Sequence, residues 1–134
     1  MNKNITKFLG SALIFSSVLF SAVSVSAANR KIGELHNFRL PAHQGVVSTG
    51  YLTKIRSNSP WVLNVTNLKN TGSVDTYLAN SNGSRRSDYT RVGRGRHQIS
   101  SSATAGYSYK AILMNTKGQT YDAYISGSWS PDTK

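Results

Sequence analysis

The chain has no cysteine, three prolines, and five acidic residues against sixteen lysines and arginines in 134 positions. Without cysteine it has no disulfide framework, no thiolate metal ligand, no thiol nucleophile and no lipid-modified N-terminal cysteine. A domain of this size must then hold itself together by packing, each large apolar side chain contributing roughly 1.5–3 kcal/mol when buried. The scarce acids also limit chemistry. Glu34, Asp75, Asp88, Asp122 and Asp132 are scattered along the chain and make no close carboxylate pair. The length excludes a multidomain enzyme, and after residue 27 no apolar run approaches the roughly 20 residues of a membrane-spanning helix.

Residues 1–27 read as an export signal. Lys3 and Lys7 are the positive start, Phe8–Phe20 is uncharged and mostly apolar, and Val25-Ser26-Ala27 supplies the small-x-small cleavage site. Cleavage is expected after Ala27, with Ala28 as the second choice. The competing reading, an anchoring helix, is disfavoured by the serines that dilute the run. Cleavage removes two lysines and none of the acids, so the processed chain stays strongly basic. The expected location is extracellular or on the cell envelope.

Beyond the signal, apolar residues alternate with a period of two. Trp61, Leu63 and Val65 point one way while Asn64 and Thr66 point the other. Tyr107 and Tyr109 alternate in the same way, as do Tyr121, Ala123, Ile125 and Trp129. Weaker alternation covers His36–Leu40, Val46–Ile55, Val74–Ala79, Asp88–Val92 and His97–Ser101. Turn-forming clusters separate them at 57–60, 69–72, 81–84 and 115–118. No stretch suits a helix. The fold expected is all-β: a single antiparallel β-sandwich, or flattened barrel, of about seven to eight short strands. It should occupy 36–130, with 28–35 a loose arm and 131–134 a frayed tail, since Pro131 cannot extend a ladder. The turn at 115–118 is expected to join its two flanking strands as the last hairpin.

The most unusual segment runs from Arg85 to His97 and contains Arg85, Arg86, Arg91, Arg94 and Arg96, opposed only by Asp88. A guanidinium is a planar fork that grips phosphate or carboxylate through two hydrogen bonds. These five arginines are the candidate anion-binding residues, for anionic cell-wall polymer or lipid headgroups. The alternative is a solvated hairpin whose charges provide solubility and guard a sheet edge. Gly93-Arg94-Gly95 is not a phosphate loop, because no helix follows it. Nucleic acid is permitted by charge but supported by no recognition motif.

Catalytic, metal and cofactor sites are not expected. His36, His43 and His97 match no metal-ligand spacing. There is no Gly-x-Ser-x-Gly elbow. A nuclease would need a positioned acid and base, and only Glu34, in the expected loose arm, is on offer. The tyrosines of alternating strands are expected to pack rather than to stack on sugars.

Four stretches, Phe38–Gly45, Ser59–Val65, Gly95-Arg96-His97 and Ser126-Gly127-Ser128-Trp129, resemble an uncharacterised family of small secreted proteins of Gram-positive bacteria. Its members are often encoded near bacteriocin-type export or immunity genes. Pro131-Asp132 departs from the acidic pair that follows the tryptophan in that family. The resemblance implies secretion and a β-rich module, and carries over no site residue. The function expected is a secreted, non-enzymatic, monomeric β-module that associates with anionic envelope polymers or a protein partner. The alternatives are a bacteriocin-like antimicrobial effector and, third, a small secreted hydrolase or nuclease.

Overall fold

Among the described residues nine strands follow one another: β1 (Gly33–Leu40), β2 (Val46–Ser48), β3 (Leu52–Thr53), β4 (Trp61–Lys69), β5 (Val74–Asn80), β6 (Thr90–Val92), β7 (Gly95–Ile99), β8 (Ser108–Asn115) and β9 (Ala123–Ser130). The structure is a computed structural model that describes residues 29–134, and the folded unit within it is Arg30–Thr133. The export signal read over residues 1–27 lies outside the described residues. Among the described residues there is no helix, hence none long and apolar enough to cross a membrane.

All pairings are antiparallel, and they build two sheets. One has the order β1-β9-β4-β7; in the other β2-β8-β5-β6 are neighbours, with β3 also pairing β8. The expected β-sandwich is what forms. Its interior holds Trp61, Leu63 and Val65 of β4, Ala123, Ile125 and Trp129 of β9, Val74 and Leu78 of β5, and Ala111 and Leu113 of β8. Trp61 and Trp129 meet edge to face, 6.4 Å between ring centres. Alternation therefore sorted these side chains correctly, but not Tyr121, which the spacing puts on the same face and which instead precedes β9 and is exposed.

Several expectations are corrected. The Val46–Ile55 stretch is two strands, because the Thr49 hydroxyl accepts the Ala111 N–H at 2.9 Å, a bond the ladder would otherwise make with backbone. The arm expected at 28–35 contributes to β1 from Gly33, with Leu35 buried. A side chain at Gly33 would collide with the Trp129 indole, so only glycine lets the first strand lie against that ring. The expected last hairpin does not exist. β8 and β9 belong to different sheets, and the connection between them crosses the sandwich. Buried Asn115 braces this crossing by donating to the carbonyls of Leu40, Pro41 and Tyr121.

The tail is not frayed either: Pro131 and Asp132 are buried. Lys54 and Asp132 both have fully buried side chains, with Nζ 3.2 Å from Oδ1. The ammonium also donates to the Ser59 carbonyl and hydroxyl and to the Pro131 carbonyl. Asp132 accepts from the Ile55 and Arg56 N–H groups and from the Ser59 hydroxyl. Arg30 holds the same tail from outside through the carbonyls of Asp132 and Thr133. Every charge in this knot has hydrogen-bond partners, the condition under which burying an ion pair is tolerable.

Candidate anion-binding ridge

The basic segment forms one lateral side of the sandwich. β6 is an edge strand of one sheet and β7 an edge strand of the other, so residues 85–97 climb from the first sheet to the second. Lacking a further strand, such edges expose backbone that arginines discourage from pairing with another chain. The five arginines spread along this ridge and do not share one pocket.

Arg85 and Arg86 lie together at its start. The Arg86 N–H reaches the Leu78 carbonyl at 2.7 Å, and Arg86 in turn accepts from Ser102 at 2.8 Å. Ser87 pairs with Ser101 as an isolated bridge, and the Asp88 N–H donates to Ser100. These bonds zip the β5–β6 loop to the β7–β8 loop. Between the two lies a cavity of about 380 Å³, walled by Arg85, Arg86, Ser87 and Asp88 on one side and Ser100, Ser101 and Ser102 on the other.

Arg86 also walls a neighbouring cavity of about 440 Å³, where β5 ends and β8 begins. Here the other walls are Asn80, Ser81, Asn82, Thr104 and Tyr107, with Ser108 and Tyr109 completing it. Tyr107 is 66% exposed. It does not share a face with Tyr109 as alternation suggested: β8 begins only at Ser108, leaving Tyr107 in the loop and Tyr109 in the core. That loop is firmly held. The Lys54 N–H donates to the Tyr107 carbonyl and the Gly106 N–H to the Lys54 carbonyl. The Tyr109 hydroxyl takes the Thr104 N–H at 2.8 Å. Burial pulls the Lys54 ammonium below its ordinary pKa, with the Asp132 charge opposing the shift.

Arg91 is spent. It grips Asp75 with both arms of its fork, 2.8 Å from Nε and 3.2 Å from Nη2, and the Asp75 side chain is only 4% exposed. The bond and the charge of Asp75 raise the Arg91 pKa further. Tyr89 stacks on Tyr77 beside this pair, and its hydroxyl points at Asp75 from 3.4 Å. Desolvation, followed by the Asp75 charge, raises the Tyr89 pKa.

Arg94 folds over the end of β4, donating to the Asn67 side chain and the Leu68 carbonyl. Arg96 faces Asn64 across the β4–β7 ladder. Following the register outward from Arg96, the row continues through Asn64 and Ser128 to Glu34, on the outer face of all four strands. Adjacent strands lie about 4.8 Å apart, so this polar row spans roughly 14 Å. A shallow groove runs beside it at Gly127, where both flanking ladders bulge. A Cβ on Gly127 would sit 1.9 Å from the Asn64 carbonyl oxygen.

Of the five predicted residues, the structure thus brings together Arg85 and Arg86, ties Arg91 to a carboxylate, and carries Arg94 and Arg96 to the other sheet. Tyr107, Asn80, Asn82 and the serines at 100–102 were missed as lining residues. The doublet Tyr107/Tyr109 is the available signal, and the packing expected for it in preference to sugar stacking holds for Tyr109 but not for Tyr107. Among the described residues no three histidines or acids gather around a common point. His97 makes its own contact with the Gly93 carbonyl, at 2.8 Å. Comparison with protein-family models, with curated proteins and with solved structures finds no match to this chain.

Proposed function

We propose that this protein is an exported, non-enzymatic binding module that associates with anionic polymers of the cell envelope through the ridge at 85–96. The observation that carries the reading is the state of the arginines. Arg85, Arg86 and Arg96 have no carboxylate partner among the described residues, while the two loops beneath Arg85 and Arg86 are zipped into a fixed wall. A backbone fixed in this way spares part of the ordering cost when its guanidinium groups close on phosphate. The net charge of +11, which becomes +9 once Lys3 and Lys7 leave with the export signal, adds long-range attraction toward polyanions. Export is supported by the sequence pattern of residues 1–27 and by the family resemblance.

Binding of this kind falls as salt rises, since neutralising a polyanion releases its counterions. The test is sedimentation of purified protein with isolated Gram-positive walls over a salt series. Wild type should bind at low salt and lose about a hundredfold in affinity by high salt, given several phosphate contacts. Arg85→Gln/Arg86→Gln/Arg96→Gln should flatten that slope and bind at least tenfold less at low salt. Salt-independent binding, or a triple variant that binds like wild type, would remove the ridge as the binding surface.

A further inference from the structure

The two cavities that meet at Arg86 differ in chemistry. Each has a volume within the range of about 300–1,000 Å³ that ligand clefts occupy. The smaller is walled by Arg85 and Arg86 and by Ser100 and Ser101, which suits a phosphate. The hydroxyl protons of these two serines are not spent as those of Ser87 and Ser102 are, on the Asp88 and Arg86 carbonyls. The larger offers an exposed tyrosine ring and the amides of Asn80 and Asn82, which suits the apolar face and hydroxyl rim of a sugar. Arg86 belongs to both.

We propose that the Arg86 junction binds a phosphodiester-linked glycopolymer, its phosphate held by Arg85 and Arg86 and its sugar laid against Tyr107. This rests on the reading of the ridge as an anionic-polymer surface and goes beyond it by requiring the sugar.

Charge specifies the kind of phosphate. Asp88 also walls the smaller cavity, so two cations stand there against one carboxylate. The balance matches the single charge of a phosphodiester better than the near-double charge of a phosphomonoester. A bare phosphodiester chain would leave the Tyr107 ring and the asparagine amides without partners. A neutral sugar would leave both guanidinium groups unmatched. Only a ligand carrying both groups in sequence uses both cavities.

The larger cavity is built in advance of any ligand. Asn80 Oδ1 already accepts from the Asn82 and Ser84 N–H groups, at 3.0 and 2.9 Å, so its NH₂ is left to donate outward. The Tyr107 loop is tied by backbone bonds to Lys54, whose side chain is locked on Asp132. The Ala105 N–H is held by the Ser57 hydroxyl of the same turn, at 2.9 Å. A ring fixed in this way loses little freedom on stacking, which favours binding.

The test uses poly(glycerol phosphate), unsubstituted or glucosylated, titrated calorimetrically into the purified protein. Glucosylated polymer should bind about tenfold tighter than bare polymer at low salt. Tyr107→Ala should abolish that preference while leaving affinity for bare polymer within twofold; Tyr107→Phe, which keeps the ring, should retain the preference. Arg86→Gln should weaken both polymers. Equal affinity of wild type for the two polymers overturns the proposal, as does a preference that survives Tyr107→Ala or an Arg86→Gln protein that binds like wild type. In those cases bare polymer still binds and the ridge reading stands. If neither polymer binds at low salt, the ridge reading falls with it. Circular dichroism of each variant establishes that the fold is intact; Tyr107 is exposed, so its removal leaves the core untouched.

Discussion

The turn at Lys54–Ser59 and the ridge at 85–96 use positive charge in opposite ways. Lys54 is wholly withdrawn from water, saturated by oxygen acceptors and paired with a carboxylate from the tail that follows the last strand. Arg85, Arg86 and Arg96 stand at the surface with no carboxylate partner among the described residues. Arg91 falls between: its fork covers the buried Asp75 while 58% of its own side chain remains exposed. Position in the sheets explains the difference. Lys54 follows the short strand β3, at an end of the sandwich where the tail folds over it, whereas β6 and β7 are each paired on one side only among the described residues. Charge is structural where the chain closes over it, and remains available where the sheet stops.

Three substitutions probe that division. The largest effect is expected for Asp132→Ala, which strands the Lys54 ammonium in the interior and should cost about 3–5 kcal/mol. Urea unfolding measures it, and a loss below about 1 kcal/mol would show that the knot does not hold the tail. Replacing both partners together, as Lys54→Met/Asp132→Leu, should recover much of the loss because no orphan charge remains. Next comes Arg91→Gln, which uncovers Asp75. It should lower the melting temperature by a few degrees yet change polymer affinity by less than twofold, since that guanidinium is already engaged. An affinity loss as large as that of Arg86→Gln would place Arg91 with the free arginines instead.

The smallest effect concerns Asp122, whose carboxyl is held below the ordinary range by the Arg39 hydrogen bond and by the Ala42 N–H. A carboxylate lowered on folding adds stability that is fully present above its unfolded value of about 3.9 and disappears as pH falls through the folded value. Arg39→Gln should therefore lower the urea midpoint slightly near neutrality, with the difference from wild type vanishing as pH falls through the folded value. An unchanged midpoint would show that this exposed pair contributes nothing, as many surface pairs do.

Much of this was legible in the residues because burial in a sheet leaves a periodic trace. Trp61, Leu63, Val65, Ala123, Ile125 and Trp129 announced their face by spacing alone, and all six are in the core. Alternation says which way a side chain points, not which strand lies beside it. That is why β8 and β9, read as a hairpin, turned out to belong to separate sheets. Lys54 and Asp132 were illegible for another reason. They lie 78 residues apart and carry no periodicity, and charged residues are expected outside unless paired. The arginine cluster was visible at once, but its division into free and engaged members depends on Asp75 and Asn67, which only the register brings near. Tyr107 was assigned to the wrong environment by a shift of one residue in where β8 begins.

One feature of the topology bears on how the molecule is made. Each sheet has two interior strands, β9 and β4 in one and β8 and β5 in the other, and β8 and β9 come last in the order of strands. A chain emerging N-terminus first therefore lays down β1, β2 and β3 well before the interior strands that pair with them. β1 has no ladder partner, and neither do β2 and β3, until their common neighbour arrives. Such non-local pairing is slow to form, and it keeps the emerging polypeptide open, threadable and exposed to chaperones until both keystone strands have been added.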